Sequence, residues 1–258
     1  ETIEYLSYAT GIVPLLKKTL NGQSPNYDLE IHKDVGEHGD TREMIKEVVV
    51  NNEVIVARRL DNVVSGEDPR IGDATIQQIL ACRNTSGFVP TDEDVIRHLK
   101  GDVLSIYLGK DSKKVVGFDA IAFRSPKVGF EGIPGVDHPF SEEEGVYFAG
   151  TLIAGEMQRS GLYTQMTRER VRRGLERGLH LVFTETQNPN IEAGVKNTLE
   201  IMKSEGEIID YSTDERVLLP GLYGRCMYTE IPKNEQISYD ELDYEAGDAY
   251  ALVFNLDY

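Results

Sequence analysis

One stretch in the middle of the chain constrains its fold more than any other. Gly145 to Ala154 reads as a β-strand, and Gly155 to Ser160 leads into a helix that runs to about Arg177 and ends at Gly178. Leu179 to Thr184 reads as a buried strand. Asn188-Pro189-Asn190 breaks it before a second helix, which carries Ile191, Val195, Leu199 and Met202 on one stripe. Strand, helix, strand, helix is a βαβα unit, and strands joined through a helix lie parallel.

The flanking segments supply further strands. Glu47 to Val50 and Glu53 to Leu60 are rich in Val and Ile, with Asn51-Asn52 as a turn between them. Asp73 to Cys82 has Ile76, Ile79 and Leu80 at helical spacing, and Thr91 to Leu99 opens on a Thr N-cap. Val103 to Leu108 and Val115 to Phe123 form a hairpin around a polar turn, followed by the Gly/Pro-rich loop Pro126 to Pro139. Val217 to Leu219, Tyr223 to Ile231 and Ala249 to Leu256 read as closing strands. Residues 1–46 show no catalytic pattern and read as an N-terminal extension or cap, so the main domain is placed at 47–258.

Composition narrows the partners. With 27 Lys+Arg against 44 Asp+Glu in 258 residues, the formal charge is −17. Phosphate contacts need cations that are in deficit here, so no nucleic acid is expected, and attraction of cationic small molecules follows more naturally. The only cysteines, Cys82 and Cys226, stand far apart and fit a reducing cytoplasm rather than a disulfide framework or a thiolate metal site. No apolar run reaches the roughly 18 to 20 residues that span a bilayer, so no membrane partner is expected. His32, Asp34, Glu37, His38 and Asp40 contain metal-ligating types, but a solvated loop explains them and no metal is expected. No phosphate loop, nucleophile elbow, dinucleotide fingerprint or His-Glu-x-x-His occurs.

The chemistry concentrates at Thr151-Leu152-Ile153-Ala154-Gly155-Glu156-Met157-Gln158-Arg159-Ser160-Gly161-Leu162-Tyr163, where a strand passes through a short loop into a helix. Such a junction aims unpaired main-chain N–H groups at one point, with roughly half a positive charge from the helix. Gly161 permits close approach of a phosphate, and Arg159 adds a full cation. The arginines further along this helix (Arg168, Arg170, Arg172, Arg173) read as a solvated face.

This stretch resembles the acyl-CoA-binding motif of the GCN5-related N-acetyltransferase (GNAT) superfamily, a strand followed by Gln/Arg-x-x-Gly-x-Gly/Ala at the helix start. Gln158, Gly161 and Tyr163 stand at its defined positions, with Tyr163 departing from the small residue of the family pattern. The order of elements from residue 47 is also similar to that superfamily. The resemblance implies an α/β fold with a mixed, mostly antiparallel sheet whose central parallel strands splay apart, flanked by helices. It implies acetyl-CoA or another acyl-CoA as co-substrate, held by Ile153, Ala154, Gln158, Arg159, Ser160, Gly161, Leu162, Tyr163, Thr164 and Asn190. The implied activity is direct acetyl transfer to the primary amine of a small molecule, and a homodimer is compatible with it. Transfer of a longer acyl chain from acyl-CoA or an acyl carrier protein, and a non-catalytic CoA-binding domain, are the alternatives.

Direct transfer needs a base, an oxyanion donor and an acid for the leaving thiolate. An alkyl amine of pKa near 10.4 is only about one part in 2,500 neutral at pH 7, so a carboxylate that takes its proton is useful. The family often places a Glu on the motif strand, but Val146 to Ile153 has no acid, which moves the base to Glu185 at the carboxyl end of the following strand. The resemblance implies that the Leu152 N–H faces the thioester oxygen. Asn197 stands where many members carry a thiolate-protonating Tyr, so Tyr223 becomes the substitute acid, with Tyr228 weaker. Tyr147 and Thr151, alternating along the motif strand, are expected to line the acceptor pocket together.

Overall fold

The computed structural model describes residues 29–33, 43–50, 53–63, 68 and 70–258. Strands β1 (Leu29–Lys33), β2 (Glu43–Val50) and β3 (Glu53–Val63) lead into helices α1 (Asp73–Ser86) and α2 (Asp92–His98). The hairpin β4 (Gly101–Gly109) and β5 (Val115–Arg124) follows, then the short helix α3 (Pro126–Phe130). The βαβα unit is β6 (Gly145–Ile153), α4 (Leu162–Glu176), β7 (Leu181–Thr186) and α5 (Pro189–Ser204). The chain closes with β8 (Asp210–Thr213), β9 (Val217–Leu219) and β10 (Ala249–Asp257).

These strands form one ten-stranded sheet in the order β1-β2-β3-β4-β5-β6-β7-β10-β8, with β9 also on β10. β6 and β7 pair in parallel, and the other described pairs are antiparallel, which is the mixed, mostly antiparallel sheet expected. Glu47, where the sequence placed the start of the domain, lies inside β2, and the sheet continues past it into β1. Of the His/Asp/Glu group near the N-terminus, Asp34, Glu37, His38 and Asp40 lie outside the described residues, as does the Asn51-Asn52 turn.

Helices cover both faces. On one face α4 and α5 bury Val171, Val195, Leu199 and Met202 against Val146, Phe148, Val182, Leu252 and Phe254. On the other, α1 and α2 bury Ile79, Cys82, Val95 and Leu99 against Leu104, Ile106, Phe118 and Leu152. Removing that much apolar surface from water is the main stabilising term, worth about 25 cal/mol per Å². The Thr91 cap is present: its hydroxyl accepts from the Asp94 N–H and Asp94 accepts from the Thr91 N–H.

One expected strand is absent. Tyr223 to Ile231 makes only an isolated bridge, Phe88 to Tyr228. The reason is competition for an edge: β10 bonds β7 on one side, and its other side is taken by β9 over Ala249 to Ala251 and by β8 over Phe254 to Asp257. With no edge to join, the segment instead crosses to the turn after α1, where the Val89 N–H donates to the Met227 carbonyl at 2.8 Å and the Thr229 N–H to the Gly87 carbonyl at 3.0 Å. It becomes a strap from the end of β7 to the α1–α2 connection.

Candidate active site

The site is set by an irregularity in β6. Ala120 of β5 pairs with Gly150, but Ile121 pairs with Phe148, so Ala149 is an extra residue, a β-bulge. A bulge reverses the inside-outside alternation beyond it. Tyr147 and Thr151 therefore fall on opposite faces, which corrects the expectation that they line one pocket. Tyr147 packs with Phe183 on the side of α3, whereas the Thr151 hydroxyl accepts from Arg170 of α4 at 2.7 Å.

Just before the bulge, β6 and β7 part. Their parallel register covers Gly145 to Tyr147 against Leu181 to Phe183 and stops, so the strands diverge over the rest of β6. The Ala154 N–H donates to the Val116 carbonyl at 2.9 Å. Alternation along an antiparallel pair then turns the main-chain groups of Leu152 toward its partner Phe118, and those of Thr151 and Ile153 toward the gap. Leu152 is thus corrected as the oxyanion donor: its N–H belongs to the β5 ladder.

Glu185 stands on β7 beyond the last parallel pair. The Tyr147 hydroxyl donates to Glu185 Oε1 at 2.5 Å, and Arg124 lies over the Tyr147 ring, 3.7 Å from its centroid. Glu185 Oε2 is shielded from solvent and accepts no hydrogen bond among the described residues. Burial pushes the carboxyl up to about 7, against the Tyr147 hydrogen bond and the Arg124 charge, which both act to lower it. The Tyr223 hydroxyl donates to the Glu185 carbonyl at 3.3 Å. Burial, with the Glu185 charge adding to it, raises the Tyr223 phenol well above its ordinary value, so it stays protonated. The structure thus brings Glu185, Tyr147 and Tyr223 together, and adds Arg124.

The strap holds this group in place. Gln187 donates to the carbonyls of Arg225 (3.2 Å) and Asp248 (2.9 Å) and accepts from the Met227 N–H (2.8 Å). The Tyr228 ring meets Phe88 at 5.3 Å between centroids. Burial pushes the Tyr228 phenol up to about 12.

In the turn into α4, several side chains bond to neighbouring main chain. Gly161 takes φ 97, and a Cβ built there would meet nothing within 4 Å, so the space above the first turn is open. Arg159, also at positive φ (62), is exposed beside it. Gln158 donates to the Ser86 carbonyl at 2.6 Å, and Ser160 accepts from the Leu162 N–H at 3.2 Å. Gln158 therefore ties the loop to α1, and Ser160 caps Leu162, in place of the ligand contacts expected of them. The Ala154 N–H is already used by β5. Thr164, with Tyr163, contributes N–H groups of the first turn.

The ring of Tyr163, the departure from the motif, packs from α4 against α5. A Cβ on Gly194 would come 2.6 Å from Tyr163 Cε1, so the absent side chain at 194 makes room for the ring. Gly194→Ala is therefore expected to destabilise the fold by about 1 to 3 kcal/mol through overpacking. In a Tyr163→Ala background the same change should stabilise by up to about 1 kcal/mol, as Ala for Gly does in an open helix. Urea unfolding of the double-mutant cycle checks this.

Asn190 is likewise occupied. Its amide donates to the Lys233 carbonyl at 3.1 Å and to Asn188, and its Oδ1 accepts from Asn234 at 3.0 Å. Asn188 is the N-cap of α5. Asn190 thus pins a loop rather than facing a ligand. Asn197 is exposed on α5.

Three buried ionisable residues, Arg170, Asp119 and Glu192, were not foreseen. Arg170, read as part of a solvated face, is buried over the Phe148 ring at 3.9 Å and bonded to Thr151 and Thr167. Nearby, burial pushes Asp119 up to about 6 despite Arg170. Glu192 lies buried on α5 and accepts from Lys196, Arg216 and Tyr239. Among the described residues there is no group of three or more His, Cys, Asp or Glu placed to hold a metal ion, and no helix long and apolar enough to cross a membrane.

No family model matches the chain, and no curated protein does. Solved structures do. A Chaetomium thermophilum protein in complex with a bisubstrate analogue is 13% identical, with 76% of this chain and 84% of that one covered and a TM-score of 0.43. A Desulfovibrio desulfuricans protein assigned to the GNAT family is 14% identical over 78% of this chain and 98% of its own, with a TM-score of 0.41. Diaminobutyrate acetyltransferase from Paenibacillus lautus, solved with diaminobutyric acid and coenzyme A, is 16% identical over 79% and 95%, with a TM-score of 0.40.

Proposed function

We propose that the chain is an acyl-CoA-dependent N-acyltransferase that transfers an acetyl group to the primary amine of a small, cationic acceptor. The observation that carries this reading is Glu185, a shielded carboxyl with one free oxygen in the mouth where β6 and β7 part. A base whose pKa is near 7 is matched to taking a proton from an ammonium at neutral pH, better than an ordinary carboxylate near 4.5.

The residues present fit an acyl-CoA. The open first turn of α4, with Gly161, the N–H groups of Tyr163 and Thr164 and the Arg159 cation, suits a diphosphate. The gap-facing main chain of Thr151 and Ile153 suits an amide-bearing arm running along β6. Acyl-CoA supplies an electrophilic thioester carbon. Glu185 takes the amine proton as the new C–N bond forms. The Thr151 or Ile153 N–H, in place of Leu152, stabilises the negative charge growing on the thioester oxygen, a contribution on the order of 3 to 4 kcal/mol for such a donor. The sulfur leaves as a thiolate as the C–S bond breaks and takes its proton from solvent; Tyr223, which resists ionisation, is placed to hydrogen-bond to it rather than to protonate it. Thr151 acts here through its main chain, since its hydroxyl is held by Arg170.

Cationic acceptors are favoured by the charge of −17 and by the unpaired Glu185 oxygen. Acetyl-CoA with a panel of polyamines, amino acids and amino-sugars, read by mass detection, is expected to show an added acetyl on at least one cationic amine. Coenzyme binding without any acylated product would replace this reading by the non-catalytic one. Tyr147→Phe removes a hydrogen bond that lowers the Glu185 pKa, so the rise of kcat with pH is expected to move to higher pH while the coenzyme Kd stays unchanged. An unmoved profile would separate Tyr147 from the base.

A further inference from the structure

Past the bulge, the face of β6 turned away from α4 borders a small cavity of about 50 Å³. Phe88, Val95, His98, Phe118 and Leu152 wall it, with Gly150 beside them. These walls are mostly carbon. The His98 imidazole is pulled below its ordinary pKa by burial, with Arg97 adding to the effect and Asp94 opposing it, and so is uncharged at neutral pH. Helix α2 sits tightly on the strand here: a Cβ on Gly150 would come 2.8 Å from His98 Cβ. The outer wall is fixed as well, because the Phe88 ring packs at a tilt against Tyr228 and the strap bonds the residues on either side of it.

Position gives the cavity a meaning. A thioester carbon in the β6–β7 gap has three substituents. The oxygen turns to the Thr151 or Ile153 N–H, and the sulfur leads back toward the first turn of α4. The alkyl group is left for the opposite face, where Gly150, Thr151 and Leu152 border the cavity. On the same measure a single water needs roughly 10 to 15 Å³, so the space holds about three to five such groups. We propose that this cavity receives the acyl group of the donor and restricts it to short chains, with no more than about three to five carbons beyond the carbonyl, and with Phe88 and Val95 as the residues that set the limit. The proposal rests on the acyltransferase reading and makes its acyl donor specific.

Calorimetric titration of the full chain with CoA, acetyl-CoA, propionyl-CoA and octanoyl-CoA tests it without knowledge of the acceptor. Acetyl-CoA and propionyl-CoA are expected to bind at least as tightly as CoA, and octanoyl-CoA at least tenfold more weakly. Phe88→Ala, which opens the outer wall, should recover at least threefold of the octanoyl-CoA affinity and leave CoA unchanged. Octanoyl-CoA binding within twofold of CoA, or a Phe88→Ala chain with the same discrimination as the wild type, would overturn the acyl pocket while leaving coenzyme binding in place. Failure of CoA itself to bind would overturn this proposal together with the reading beneath it.

Discussion

Glu185→Gln is expected to lower kcat by about a hundredfold to ten-thousandfold, the usual range for loss of a general base, and to leave coenzyme affinity intact. The loss depends on pH in a defined direction. Wild-type Glu185 is ionised only above about 7, so the ratio of wild-type to variant rates should grow as pH rises through 7 and shrink below it, where the wild type is already protonated. The same carboxyl affects stability with the opposite benefit. Its folded pKa of about 7 lies above the ordinary value of 4.5, so the folded state holds the extra proton between those values. Stability conferred by the neutral carboxyl is fully present below 4.5 and is lost as pH rises through 7. Glu185→Gln, which is always neutral, should therefore melt at a higher temperature than the wild type above pH 7 and at the same temperature below pH 4.5. Equal melting at all pH values would mean that the Glu185 carboxyl is not shielded as described.

Gly161→Val is expected to weaken coenzyme binding at least a hundredfold while the protein still unfolds cooperatively. The open space above Gly161 means that the new side chain meets no neighbour and instead fills the volume through which a diphosphate approaches. The backbone at φ 97 adds strain, on the order of 1 to 3 kcal/mol, which a domain with two covered sheet faces should survive. Calorimetry with CoA and a thermal melt together check this. Unchanged affinity would remove the diphosphate from this turn.

The parts of the fold that were legible in the sequence are those with strong local patterns. Ile191, Val195, Leu199 and Met202 announced α5, and the succession of strand and helix announced the parallel pair. The end of β7 was legible enough to point at Glu185. What escaped was non-local. The bulge at Ala149 leaves no mark on composition, yet it decides which face Thr151 takes. Counting alternation without it put Tyr147 and Thr151 in one pocket. Strand β8 (Asp-Tyr-Ser-Thr) is too short and polar to announce itself and exists because β10 offers an edge, the same edge whose occupancy turned Tyr223 to Ile231 into a strap. Arg170 reads as a surface residue by type, and only the packing of α4 on Phe148 buries it. Gln158 and Asn190 match a motif in kind, but their polar groups are spent on Ser86 and Lys233. Gly194, which seats Tyr163, gives no signal until the two helices are side by side.

The central claim is that the divergence of β6 and β7, with the turn into α4 at its rim, holds an acyl-CoA beside Glu185. The most direct measurement is a crystal structure of the protein with desulfo-CoA. The account predicts the diphosphate on the N–H groups around Gly161 to Thr164, the arm along Thr151 and Ile153, and its end within reach of the Glu185 carboxylate. A coenzyme bound elsewhere, or a gap between β6 and β7 that stays closed when coenzyme is bound, would contradict it.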